Sequence, residues 1–195
     1  MLQFILGIDP SARKEGFAIA IIDLKEKNVR FKRFKDGYLD FARWLPEHGD
    51  YFSCTMAAVE NSHEQKGVNF WTHKDAKGNL LTQAHANQLK RKGRRVTKLK
   101  TAELIAIAQK VGMNMLASVY TVKELQKYLG KKRVVSISPK EKGEKWSEVI
   151  FKSVAKTEGH FLMDFTGSQD EIDAYNVGLK GYKKLLFDQA MKKMV

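Results

Sequence analysis

Ile5-Leu6-Gly7-Ile8-Asp9-Pro10-Ser11, resumed as Gly16-Phe17-Ala18-Ile19-Ala20, is the stretch that decides the fold. An apolar strand delivers one carboxylate, Asp9, to its carboxyl end. A short loop then lets a second apolar strand, residues 16–23, pair back alongside it. Residues 2–9 are apolar on both faces, which places that strand in the middle of a sheet. Residues 28–34 (Asn-Val-Arg-Phe-Lys-Arg-Phe) alternate, which predicts a third strand with one wet face. Three consecutive strands with short connections form an antiparallel meander.

Beyond the meander the pattern changes period. Asp36 to Leu45 reads as a helix, with Tyr38, Phe41 and Trp44 on one side to pack against the sheet. Residues 54–60 (Cys-Thr-Met-Ala-Ala-Val-Glu) form a short buried strand that ends in Glu60. Thr101 is placed to cap a helix through about Ala117, with Glu103 in its first turn. A second short helix is predicted over residues 121–129, stopped at Gly130. Arg133 to Ser138 reads as a strand closed by Pro139, Lys145 to Lys156 as a helix, and Asp170 onward as a last helix. The expectation is an α/β fold: a mixed five-stranded sheet, three antiparallel strands plus two parallel ones, flanked by helices.

The chain has 195 residues, which suits a single domain over residues 1–195, with an insertion at about 63–98. Within that insertion, Phe70 to His73 and Leu80 to Thr82 flank Lys-Asp-Ala-Lys-Gly-Asn and read as a hairpin. Lys90 to Arg95 reads as an exposed loop or a frayed helix end. The apolar runs are too short to span a bilayer. The first residues lack a basic leader, so the chain does not read as secreted. Its one cysteine, Cys54, excludes an internal disulfide and a thiolate cluster. An intracellular setting is expected.

Lys plus Arg total 35 against 22 acids, a net charge of +13. Excess of this size points to a polyanionic partner. Residues 61–100 hold ten Lys and Arg but only Glu64 and Asp75 as acids, so this segment supplies most of the excess. Lys90, Arg91, Lys92, Arg94, Arg95 and Lys98 are therefore the candidate phosphate contacts. No basic amphipathic helix with an aromatic-rich apolar face stands out, which argues against a membrane surface.

The acids supply the chemistry. Asp9 and Glu60 each end an apolar strand, and neighbouring strands would bring them to one edge of the sheet, where ligands bind in open α/β sheets. Asp170 and Asp173 sit three apart and share a helix face. Carboxylates gathered in a partly dry site repel by about 4 kcal/mol per pair at surface-like dielectric. Cations make such a cluster tolerable, and an all-oxygen donor set selects Mg²⁺, with Mn²⁺ as a substitute. Two ions about 4 Å apart suit phosphodiester hydrolysis.

Ile-Leu-Gly-Ile-Asp-Pro-Ser followed by Gly16, Ala-Val-Glu at 58–60 and Asp-Glu-Ile-Asp-Ala-Tyr-Asn-Val-Gly at 170–178 resemble the RuvC-type Holliday junction resolvases of the RNase H-like superfamily. The resemblance runs from residue 1 to about 180. It implies an RNase H-like fold, with Asp9, Glu60, Asp170 and Asp173 as catalytic acids holding two Mg²⁺ ions. It further implies a homodimer that binds branched DNA, four-way junctions above all, and makes paired symmetric nicks. Lysines after the fifth expected strand, residues 133–138, approach the scissile phosphate in that family. This singles out Lys145 as catalytic and Lys140 and Lys142 as DNA contacts. An aromatic wedge in the family stacks on exposed bases, a role open here to Phe70 or Trp71. The chain departs from the family in the 40 residues between Glu60 and Thr101 and in Ser11, where glycine is common. The insertion bears on substrate preference. A less specific flap or RNase H-type nuclease, a non-catalytic DNA-binding module, and an actin-like ATPase lobe are the competing readings.

Overall fold

The structure is a computed structural model that describes residues 2–11, 16–48, 55–61 and 71–193. Phe70, Cys54 and the first part of the expected insertion lie outside the described residues. In chain order the strands are β1 (Phe4–Asp9), β2 (Phe17–Asp23), β3 (Asn28–Phe34), β4 (Thr55–Glu60), β5 (Trp71–Asp75), β6 (Leu80–Thr82), β7 (Val96–Lys98), β8 (Val134–Ile137) and β9 (Phe161–Met163). The helices are α1 (Tyr38–Glu47), α2 (Gln83–Arg91), α3 (Thr101–Leu129), α4 (Pro139–Lys142), α5 (Glu148–Thr157) and α6 (Gln169–Lys193). No helix among the described residues is long and apolar enough to cross a membrane.

The chain divides into two compact units, residues 1–65 with 113–195, and residues 66–112. In the first unit the described strands form one mixed sheet in the order β8-β4-β1-β2-β3-β9. β1 pairs antiparallel with β2 and parallel with β4, and β4 pairs parallel with β8. The carboxyl ends of β1, β4 and β8 therefore share one edge, and the sheet carries Asp9, Glu60 and the start of α4 there. The core confirms the reading of β1 as central: Ile5, Leu6 and Ile8 are buried on alternating faces. On one face Ile5, Ala18, Ala20, Ile22, Met56 and Ala58 meet α5 and α6. On the other, Leu6, Ile8, Phe17, Ile19 and Val59 meet Phe41, Trp44 and Leu45 of α1 and Leu125 and Leu129 of α3. The predicted aromatic stripe on α1 is thus core packing, with Phe17 stacked on Phe41 at 4.9 Å between ring centroids.

Glycine fixes how closely α6 lies on the sheet. A Cβ on Gly7 would stand 2.1 Å from the Ala174 carbonyl oxygen, and one on Gly181 would stand 2.2 Å from the Ala58 Cβ. Only bare backbone at these positions lets helix and strands approach so closely. That contact seats the first turns of α6 over the Asp9 end of β1.

Two expectations need correction. The sheet has six strands among the described residues, not five, because β9 joins outside β3 in parallel register, Asn28↔Phe161 to Arg30↔Met163. Phe-Leu-Met is too short to show a period. Long-range pairing defines this strand, with the Phe161 N–H donating to the Lys27 carbonyl at 2.7 Å. The expected helix pair 101–117 and 121–129 is one 29-residue helix. The hydroxyls at the expected gap bond back into the same helix, Ser118 to the Asn114 carbonyl and Thr121 to the Ala117 carbonyl. Smaller shifts occur at the ends. A 3-10 turn over Lys131–Arg133 precedes β8, and the helix expected from Lys145 begins at Glu148, where Ser147 caps it.

In the second unit β5 lies between β6 and β7, both antiparallel to it. The predicted hairpin turns on Asp75, whose carboxylate accepts from the Lys77 and Asn79 backbone N–H groups. Thr82 caps α2 by accepting from the His85 N–H. Lys74 pairs with Glu103 at 2.6 Å.

Candidate active site

The edge where β1, β4 and β8 end is built from four directions. β1 brings Asp9 and β4 brings Glu60. The first turns of α6 bring Asp170 and Asp173. α4 brings Lys142. Together they line a cavity of about 380 Å³, into which Arg33, Asn114, Lys145 and Ser11 also face. The four acids expected from the sequence thus converge, although they come from three distant stretches.

Helix α4 is short and sharply defined. Ser138 accepts from the Glu141 N–H while the Glu141 carboxylate accepts from the Ser138 N–H, a reciprocal capping box with Pro139 in the first turn. This turn aims Lys142 back into the site. Its ammonium donates to Glu60 Oε2 at 2.5 Å and pairs with Asp173 Oδ2 at 3.0 Å. The Asn176 amide donates to the Lys142 carbonyl, which ties α4 to α6. Asp173 Oδ1 accepts from the Gln169 amide at 2.9 Å, so both its oxygens are engaged.

The acid run at the start of α6 divides by role. Glu171 is buried and turned away, accepting from the Thr166 N–H and hydroxyl and from the Ser168 N–H. It caps the helix. Asp170 and Asp173 line the cavity.

Electrostatics match this geometry. Burial holds the Asp9 carboxyl well above the usual range, reinforced by Glu60 and then by Asp173 and Asp170, with Lys142 opposing. Burial alone would pull the Lys142 ammonium down. Asp9, Glu60 and Asp173 together outweigh it, so its pKa is raised and it stays charged. An ammonium therefore already offsets part of the negative charge that the sequence predicted.

Among the described residues no three His, Cys, Asp or Glu stand so as to hold one ion. The donor chemistry nevertheless fits a hard divalent cation: four carboxylates, no sulfur, no imidazole, and one acid, Asp9, made costly to ionise by burial and then by the other acids. The described histidines lie elsewhere. His160 Nδ1 pairs with the Tyr175 hydroxyl at 2.7 Å, and His73 Nδ1 with the Thr72 hydroxyl.

No protein-family model matches the chain, and no curated protein is significantly similar to it in sequence.

Lys145 and Lys140 are exposed, and Lys145 lines the cavity. Lys142, expected as a DNA contact, is instead tied to Glu60 and Asp173. Lys90, Arg91, Lys92, Arg94, Arg95 and Lys98 are all exposed in the second unit, and Trp71 there is half-buried at the start of β5. Arg33 and Asn114 were missed. A signal existed for each. Asn114 is polar within the apolar stretch Val111–Ala117, and Arg33 continues the face of Val29 and Phe31 to the strand's end.

Proposed function

We propose that this protein is a divalent-metal-dependent endonuclease with an RNase H-like fold, cutting branched DNA and four-way junctions in particular. The observation that carries the reading is the meeting of Asp9, Glu60, Asp170 and Asp173 in one cavity that Lys142 partly neutralises. Strands with parallel carboxyl ends deliver two of the acids, and a helix lying on those strands delivers the others. The resemblance in the three motifs names the same four residues.

When bound by these acids, two Mg²⁺ ions, or Mn²⁺ in their place, supply an activated water and neutralise charge on the phosphate. The chain's own groups do the rest. Burial and the neighbouring acids make Asp9 costly to ionise, so it gains from a cation. Lys142 keeps Glu60 and Asp173 fixed in orientation. Lys145, exposed at the cavity mouth, reaches a phosphate oxygen. In the reaction a water oxygen bonds to phosphorus, one P–O bond breaks, and the leaving oxygen takes a proton. The basic surface from Lys90 to Lys98, with Lys140, supports a polyanionic substrate. Trp71, with Phe70, remains the candidate for stacking on exposed bases. Paired nicks at a two-fold junction call for a homodimer.

The test is a cleavage assay over a four-way junction, a flap, a duplex and a single strand, each in Mg²⁺, Mn²⁺ and EDTA. Junction cleavage into paired nicks that EDTA stops is expected. Equal cutting of flap or duplex would replace junction selectivity with a less specific nuclease. No cleavage of any substrate refutes the nuclease reading.

A further inference from the structure

Three positive side chains line the acidic cavity: Lys142, Lys145 and Arg33. Lys142 is tied to two carboxylates. Lys145 is an ammonium, a point charge without directional preference. Arg33 carries the one guanidinium among the described lining residues, and its planar fork matches two oxygens of a phosphodiester.

Its position follows from strand register. Asp9 pairs with Ala18 across β1 and β2, and Ala18 pairs with Arg33 across β2 and β3. Residues directly opposite in antiparallel pairs share a face. Asp9, Ala18 and Arg33 therefore form one row on the α6 side of the sheet. The middle member is alanine and fully buried. Its single methyl raises no wall between the arginine and the acids. Val29 and Phe31 precede Arg33 on the same face and are buried, whereas Arg33 is exposed at the end of the strand. Two strand spacings, about 10 Å, separate its backbone from that of Asp9. The fork thus falls beside the reacting centre rather than on it.

We infer that Arg33 is a phosphate-binding residue that grips the phosphate next to the one cleaved, on the same DNA strand, and so sets the register of that strand over the acids. This rests on the nuclease reading above.

The test uses synthetic four-way junctions, each with one neutral methylphosphonate replacing a phosphate within three nucleotides of the cut. Wild type, Arg33→Gln and Arg33→Lys are compared by steady-state cleavage in Mg²⁺, with thermal melting as the control for folding. Arg33→Gln is expected to raise KM about tenfold with kcat within threefold, the loss typical of a charge-assisted hydrogen bond. Arg33→Lys recovers part of this. Wild type loses about tenfold at one linkage adjoining the cut, and Arg33→Gln shows no further loss at that linkage. An unchanged KM, or a wild-type methylphosphonate profile in Arg33→Gln, overturns the assignment alone. A wild type that cuts no DNA overturns the nuclease reading and this assignment together.

Discussion

Replacing Lys142 with methionine removes the ammonium from between Glu60 and Asp173 while keeping most of the aliphatic volume. The side chains of Lys142, Glu60 and Asp173 are 8%, 17% and 5% exposed, so this is a buried ion triad rather than a surface pair. Removing one partner of such a group costs about 3–5 kcal/mol, because the remaining charges stay buried without compensation. For a chain of this size 1 kcal/mol shifts the melting temperature by about 2–4 °C. Lys142→Met is therefore expected to melt roughly 6–20 °C below wild type in EDTA. A divalent ion at a hundredfold excess over its Kd returns about 2.7 kcal/mol. The rise on adding Mg²⁺ should be larger in the variant than in wild type, where the ammonium already offsets part of the charge. Calorimetric melting of both proteins in EDTA and in Mg²⁺ measures this. A variant that melts with wild type in EDTA refutes the view that the lysine holds the acids together. A deficit of the same size with and without Mg²⁺ would mean a packing defect instead.

Other expectations are independent of that one. Neutralising Arg91, Arg94 and Arg95 should weaken DNA binding and flatten its salt dependence by roughly three units of slope; an unchanged slope places those residues away from the DNA. Gly7→Ala should destabilise the fold by about 1–3 kcal/mol, since the new Cβ meets the Ala174 carbonyl at 2.1 Å, and urea denaturation reads the loss. His160 is held below the usual histidine range by burial and by Lys27, against the pull of Glu158. The unfolded chain therefore takes up its proton first as pH falls below about 6.5, and stability drops down to the folded pKa. His160→Gln, which keeps a partner for the Tyr175 hydroxyl, should flatten stability over that acid range, and melts at pH 5 to 7 check it.

Much of the site was legible because its acids sit where local pattern is strongest. Asp9 and Glu60 stop apolar runs, and a run that ends in a carboxylate marks a strand's exit into solvent or a site. Asp170 and Asp173 share a helix face by spacing alone, although only the structure separates them from Glu171, whose carboxylate turns back to Thr166. Lys142 was visible as a lysine near the site but not as the partner of Glu60, which lies 82 residues away. Contacts at that separation leave no periodic trace. The same reason hid β9, whose three residues gain strand geometry from Asn28 to Arg30 rather than from their own pattern. The continuity of α3 through Ser118 and Thr121 was hidden for a different cause. Hydroxyl residues favour helix ends in isolation, yet each can satisfy its donor on the preceding turn. Arg33 was legible in principle, since the meander's register follows from its short turns.

Asp9→Asn offers the sharpest trial, because the amide keeps the size of the side chain and removes its charge. Junction binding and junction cleavage are measured on the same preparation, in Mg²⁺, beside wild type. Binding within a few-fold of wild type together with loss of cleavage is the predicted result, and cleavage at the wild-type rate would contradict the site.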